Sequence, residues 1–381
     1  MSAFPPAVVE SAKRKLVAIR EEMNRLFLER AELIDGALCA LLSASHVLII
    51  GPPGTAKSML ADELCRRVEG AVYFQWLLTK FTTPEELFGA VSLKGLEEDD
   101  YRRVTTGKLP EAHIAFLDEI FKANSSILNA LLAIINERIF FNGRHRLAVP
   151  LVALFAASNE LPEEDELVAL YDRFMLRFVV DYIEEEFRFL KMLEGPRSES
   201  RTALTFAEFQ TLCALAATVE VPGAALAVVA RMRRELKKLG LTVSDRRWRN
   251  CLAIVRAHAL LSGRLSAADD DLCFLEHALW KDPGERERVR QTLRAIVRRH
   301  EDEARALLIE SQELADYAAR AWADQTLKDR ALVEAHTKLR QIMARFDALV
   351  REAAENPDGL AQVRAMREQA AAIQQQMLKR L

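Results

Sequence analysis

The first half of the chain alternates short, continuous apolar runs with helix-like segments. The strand-like runs are HVLII at 46–50, AVYFQWL at 71–77, HIAFLDE at 113–119 and LVALFAASN at 151–159. Strands that are apolar throughout are buried on both faces, and intervening helices supply the cover, so this pattern predicts a parallel sheet in an α/β domain. Strand signals stop after about Gly195, where GPRSESR reads as a linker. From Thr205 to about Trp280 the pattern is helical throughout, with start signals at Thr205, Ser244 and Ser266 and a break at Val221, Pro222 and Gly223. Long charged helices follow Asp282, Pro283 and Gly284. Leu332, Ala335, Leu339, Ile342, Phe346 and Leu349 form one heptad seam, and Leu360, Val363, Met366, Ala370, Ile373 and Met377 a second. The ENPDG between them predicts a tight turn and an antiparallel helical hairpin. Three parts result: an α/β domain over 1–195, an all-helical domain over 196–282 and a helical extension over 283–381.

Composition narrows the class. Half of the 381 residues are apolar, yet no apolar stretch approaches the roughly 20 residues that span a bilayer. MSAFPPAVVESAKRK lacks the basic segment and apolar core of a secretory signal, so a cytoplasmic protein is expected. The five cysteines are scattered with no CxxC, as buried thiols in a reducing compartment would be. The histidines lack zinc-ligand spacing. A net charge of −3 exerts no global pull on nucleic acid or anionic lipid. The basic run RMRRELKK at 231–238 would serve a DNA-associated motor, but no recognition motif accompanies it.

The candidate chemistry begins at GPPGTAKS, Gly51 to Ser58, between the HVLII strand and a helix-like segment. It matches the phosphate-binding pattern GxxxxGK[ST] except that Ala56 replaces the last glycine. In such a loop successive backbone N–H groups point at phosphates, Lys57 neutralises the β and γ groups, and the Ser58 hydroxyl holds Mg²⁺. Gly51, Pro52, Pro53, Gly54, Thr55, Ala56, Lys57, Ser58 and the following Met59 are the candidate nucleotide contacts. Position 56 stands where the helix begins, and alanine is well tolerated there unless the backbone must be left-handed. The bland alternative is a strand turning into a helix without a ligand.

Two further strand ends add to it. Asp118 and Glu119 close IAFLDE, the first as a Mg²⁺ partner and the second as a base for an attacking water; a strand exiting into solvent is the alternative. Asn159 closes LVALFAASN, either orienting that water or simply capping a turn. Between Phe88 and His113 lies a segment too long for a simple connection, with Arg102, Arg103 and Lys108 free to touch a partner or to face solvent. The turn NGRHR at 142–146 is similarly open.

The order GPPGTAKS, IAFLDEI, AASNELP, LYDRFMLRF and SDRRW resembles the MoxR branch of the AAA+ ATPases over about residues 10 to 300. The wording FTTPEELFGAVSL with TTGKLPEAHIAFLDEIFKANSSILNALLAIINER is similar to the RavA subfamily. The resemblance implies an AAA+ nucleotide domain with a helical lid, ATP and Mg²⁺ as cofactors, and a ring of usually six subunits. It further implies a chaperone-like remodeller of a protein client, often working with a von Willebrand factor A partner. The 88–113 segment would then hold a pore-facing loop. By resemblance Arg173 reaches the γ-phosphate held by a neighbouring subunit, with Arg177 as the nearby alternative, and Arg246 is the lid arginine. Read from residues alone, Arg173 would be a surface ion pair with Asp172 or Asp181. Ser244 as N-cap puts Arg246 and Arg247 in a first helical turn, where paired cations suggest a nearby anion, partly offset by Asp245. RavA proteins carry a β-rich domain between their C-terminal helices that docks a lysine decarboxylase. This chain has only ENPDG there, which puts that partnership in question. A nucleotide-gated scaffold is the rival to an enzyme, and an intact Glu119 and Asn159 speak against it.

Overall fold

In chain order the strands are β1 (Val47–Ile50), β2 (Val68–Glu69), β3 (Tyr73–Leu77), β4 (Ile114–Asp118), β5 (Ile139–Asn142), β6 (His145–Ala148), β7 (Ala153–Ser158), β8 (Leu176–Val179) and β9 (Leu204–Thr205). β3, β4, β7, β1 and β8 pair in that order as one parallel sheet. The runs read as fully apolar are its interior: every residue of β1 and β7 is buried, as are the first four of β4. The computed structural model describes residues 6–162, 165–195, 201–297, 301–320, 322, 324–352 and 357–378. The chain divides into two compact units, Met1–Arg290 and Gln291–Leu381.

β8 escapes the apolar-run pattern because Arg177 stands in its middle. That side chain is 1% exposed, and its guanidinium donates to the carbonyls of Trp280 and Tyr171 while lying 4.2 Å from the centre of the Tyr171 ring. Both terminal nitrogens are spent in this way, which makes the buried cation tolerable, while Nε is enclosed without a hydrogen-bond partner. Burial, with Arg247 beside it, brings this guanidinium down to about 9. β5 and β6 form an antiparallel hairpin around the NGRHR turn, and β2 and β9 pair in parallel.

The helical segment after residue 205 does not stand apart from the first domain. The helices Phe206–Thr218 and Asp245–Leu261 pack on each other and on the N-terminal helices Pro6–Leu26 and Ala31–Leu42. Thr205 and Glu208 cap one of them reciprocally, at 3.2 Å and 2.9 Å, and Ser244 accepts from the Arg247 N–H at 3.2 Å. Ser266 is not a helix start: it forms an extended bridge with Glu220. The helix there begins at Asp269, where Asp271 accepts from the Ala268 N–H at 2.8 Å. Gly36 lets the Ala31–Leu42 helix lie against β8, since a Cβ there would sit 2.1 Å from the Phe178 ring.

His46 enters β1 fully buried, its Nδ1 accepting from the Leu154 N–H at 2.9 Å and its Nε2 facing the Ile135 carbonyl at 3.2 Å. Burial, reinforced by Arg138, lowers it from 6.5 to about 3, and burial does the same to His277. Below 6.5 the unfolded chain binds protons that these folded imidazoles refuse. Stability is therefore complete above that pH and falls toward pH 3, by about 1.4 kcal/mol per pH unit for each histidine. Urea midpoints followed downward from neutrality should show this decline, and a flat profile would contradict it.

In the second unit, the helices Glu301–Ala319, Gln325–Glu352 and Pro357–Leu378 pack on one another. The first seam is buried throughout; in the second, Val363, Ala370 and Met377 are buried while Leu360, Met366 and Ile373 are half-buried. The predicted two-helix hairpin is thus part of a three-helix unit, with Leu314 and Ala318 of the additional helix buried. Glu355 and Asn356 of the predicted turn lie outside the described residues, as does 196–200 of the predicted linker, while Pro357–Gly359 open the last helix.

Candidate active site

A parallel sheet presents the C-terminal ends of its strands at one edge, so segments far apart in sequence converge there. β1 leads into Gly51, β4 ends on Asp118 before Glu119, and β7 ends on Ser158 before Asn159. The register places Ile50 beside Ser158 and Leu117 beside Ala156, and the Gly51 N–H donates to the Ser158 carbonyl at 3.0 Å.

The loop from Gly51 to Ser58 is shaped by its small residues. A Cβ on Gly51 would sit 2.2 Å from the Val180 carbonyl oxygen, so only glycine passes the end of β8. Thr55 Oγ1 closes the loop onto the Pro52 carbonyl at 3.0 Å, and the Pro53 carbonyl accepts from the Tyr182 hydroxyl at 3.3 Å. Lys57 is buried, its Nζ donating to the carbonyls of Gly51 and Pro52 at 2.8 Å each. Burial lowers its proton affinity, while the nearby Asp118 and Glu119 carboxylates pull the other way. Ser58 follows, half-buried in the first turn of the helix Lys57–Arg66, and Met59 is exposed.

Ala56 departs from expectation. It adopts φ 61° and ψ 25°, the left-handed region, because the loop reverses there to feed the helix. The consensus glycine is therefore a conformational requirement at this position that the chain meets with alanine, at a cost of about 1–2 kcal/mol. Ala56→Gly should raise the unfolding free energy by about 0.5–1 kcal/mol, once the extra unfolded-state entropy of glycine is subtracted. A denaturation midpoint at or below that of the parent would contradict this.

Glu119 is also left-handed, at φ 53° and ψ 45°, a strained position of the kind that clusters at functional sites. Its own N–H donates to Asp118 Oδ1 at 3.0 Å. Its carboxylate is held from two sides, with Oε1 accepting from Asn159 Nδ2 at 2.9 Å and Oε2 3.3 Å from Lys122 Nζ. The structure thus brings together Lys57, Asp118, Glu119 and Asn159. It adds Lys122, which sequence reasoning passed over because a lysine in the turn after a strand reads as solvated.

The two candidate arginines lie elsewhere. Arg173 and Arg246 line a cleft of about 360 Å³ with Ser45, His46, Asn136, Arg138 and Met175. Ser45 and His46 precede β1 and Met175 precedes β8, so this cleft opens at the N-terminal edge of the sheet. It is separated from the Gly51–Ser58 loop by the length of β1, about 13 Å for four residues. Arg246 is exposed, with its Nη2 3.5 Å from Asn136 Oδ1. It does not join the Gly51–Ser58 loop of its own chain, because the Asp245–Leu261 helix packs on the helix that leads into the start of β1.

Arg173 is half-buried, its Nε enclosed without a hydrogen-bond partner, and it makes no ion pair among the described residues. Asp172, its proposed surface partner, instead faces Arg177 at 3.6 Å and Arg247 at 3.4 Å. The neighbouring arginines are structural: Arg177 is sealed in β8, and Arg247 donates to the carbonyls of Phe174 at 2.8 Å, Met175 at 2.9 Å, Asp172 at 3.1 Å and Ala278 at 2.5 Å. Asp245 is taken by Arg233 at 2.7 Å, so it offsets Arg246 less than its position suggests. Three basic side chains of the 88–113 segment are committed to their own chain, Arg103 to Glu85 and Gly89, Arg102 to Glu98, and Lys108 to the Glu86 carbonyl. That segment also forms a short helix, Leu93–Glu97, and Asn142 of the β5–β6 hairpin clasps the Arg103 backbone at 2.6 Å and 3.0 Å.

Comparison with known proteins identifies the family of the fold. Residues 14–213 match the MoxR domain found in MoxR–vWA–β-propeller ternary systems, and residues 225–293 match an AAA lid domain. An uncharacterised protein of Methanocaldococcus jannaschii is 44% identical over 270 residues, 70% of each chain. The chaperone MoxR1 of Mycobacterium tuberculosis is 28% identical over 262 residues, 64% of this chain and 68% of that protein. A solved structure from Cytophaga hutchinsonii shares the fold at a TM-score of 0.62 and 15% identity, covering 77% of this chain and 96% of that one. With its parallel sheet, its helical lid segment and these matches, the chain belongs to the MoxR family of AAA+ ATPases.

Proposed function

We propose that this protein is a Mg²⁺-dependent ATP hydrolase whose catalytic site is completed by a second copy of the chain in a ring. The observation that carries this reading is the separation of Arg173 and Arg246 from the phosphate loop: they occupy the opposite edge of the sheet, where only the nucleotide of a neighbouring copy can meet them. Head-to-tail contacts of this kind close into rings, and the family usually forms hexamers.

The residues present fit the ligands. Gly54, at φ +81° with open space around it, and the N-terminus of the Lys57–Arg66 helix suit phosphate, and Lys57 supplies the cation. Ser58 and Asp118 are hard oxygen donors of the type Mg²⁺ takes. Bound ATP and its metal supply the phosphoryl group and screen its charge. Glu119 accepts the proton of the attacking water, Asn159 orients it, and Arg173 stabilises charge that builds on the neighbour's phosphate. On this account residues 1–195 carry the nucleotide chemistry, 196–282 the lid that presents Arg246, and 283–381 an extension that engages other proteins.

The cargo of such a ring is a protein or protein complex, and a von Willebrand factor A protein is the companion the family description favours. A DNA motor has weaker support: the 231–238 run lies on the helix Gly223–Lys238, where Arg233 and Lys238 pair with Asp245 and Glu235. Among the described residues no helix is long and apolar enough to cross a membrane. The test is ATP hydrolysis per chain against protein concentration, with particle size measured alongside. The rate should climb as rings assemble, and full turnover by monomers would refute the shared site.

A further inference from the structure

We infer that Lys122 is a positioning residue that restrains Glu119, limiting basal hydrolysis; this rests on the hydrolase reading above. Glu119 is the N-cap of the 3₁₀ turn Ile120–Lys122, which the Lys122 N–H closes onto the Glu119 carbonyl at 2.9 Å. The turn brings residue 122 back over residue 119, and the Lys122 ammonium lies 3.3 Å from Glu119 Oε2. Each Glu119 oxygen then has its own partner, Oε1 accepting from the neutral amide of Asn159 and Oε2 ion-paired with the Lys122 ammonium. A general base must offer an oxygen to water, and Lys122 competes for Oε2.

The two partners differ in charge. Both side chains reach solvent, Asn159 as an exposed residue and Lys122 with 43% of its side chain exposed, but only the lysine is a cation, and among the described residues Glu119 is its one ion-pair partner. Salt therefore screens the lysine contact while leaving the neutral amide hydrogen bond in place. Lys122 sets how often Oε2 is available, and Asn159 sets where the carboxylate points.

The test compares the full-length wild type with Lys122→Gln and Lys122→Arg in steady-state Mg²⁺–ATP hydrolysis, at low and raised salt, with binding of a fluorescent ADP analogue as a separate readout. Lys122→Gln should raise kcat about twofold to fivefold, the range an exposed ion pair sets, with KM and ADP affinity unchanged. Lys122→Arg should keep the wild-type rate. Salt should increase the wild-type rate toward that of Lys122→Gln while leaving the variant flat. An unchanged or lowered kcat in Lys122→Gln, alongside an active wild type, overturns the restraint and spares the hydrolase reading. Turnover in Lys122→Gln alone supports the restraint even if the wild type is silent. Silence in both, with ADP still bound, overturns the restraint and the hydrolase reading together.

Discussion

Arg173→Ala is expected to leave the protein folded, assembled and able to bind ATP, yet to lower turnover about 10³-fold, the lower end of what a transferred arginine contributes in phosphoryl-transfer enzymes. Its guanidinium makes no ion pair among the described residues and its Nε has no hydrogen-bond partner, so its removal should leave the fold intact. Arg177→Ala should do the reverse. Arg177 holds the carbonyls of Trp280 and Tyr171 inside β8, and losing it strands those acceptors, at about 3 kcal/mol. Chemical denaturation and ATPase assays on the two variants separate the roles: a stable, inactive Arg173→Ala beside an unstable Arg177→Ala. Equal stability loss in both would show Arg173 to be a packing residue.

Glu119→Gln should lower hydrolysis by about 10²- to 10⁴-fold, the contribution of a positioned general base. The amide keeps the size of the side chain and its carbonyl oxygen can still accept from Asn159, so the left-handed turn at residue 119 and the Gly51–Ser58 loop should survive. ATP affinity should then hold or rise, because a like charge near the phosphates is gone. Single-turnover hydrolysis and equilibrium ATP binding distinguish this from collapse of the site. A variant that hydrolyses at the parental rate would remove Glu119 from the mechanism.

The part of this site that lies at one sheet edge was legible in the sequence, because each piece is a strand followed at once by a chemical group. GPPGTAKS, LFAASN and IAFLDE announce both the strand and its end, and a parallel sheet then brings the ends together without further information. Side chains whose role depends on tertiary placement were not legible. Arg173, Arg177, Arg246 and Arg247 look alike in sequence; burial in β8 for Arg177, and a place in the first helical turn facing a run of carbonyls for Arg247, separate this structural pair from Arg173 and Arg246. Arg246 lies at the far edge because the helix Asp245–Leu261 packs on Ala31–Leu42, a contact across about 200 residues that no local pattern encodes. The left-handed backbone at Ala56 and Glu119 was hidden for a related reason. Neither residue type marks a left-handed position, since both favour ordinary right-handed helix, so only the path of the chain exposes the strain.

The measurement that tests the shared site most directly mixes two inactive variants, Lys57→Ala and Arg173→Ala, under conditions where they assemble together. On the proposed account each interface joins the Gly51–Ser58 loop of one copy to the arginine edge of the next. About a quarter of random head-to-tail interfaces should therefore pair an intact Lys57 with an intact Arg173. Hydrolysis should reappear on mixing, to about that fraction of the wild-type rate. Mixed assemblies that remain as silent as their parents would place Arg173 outside the neighbour's reaction.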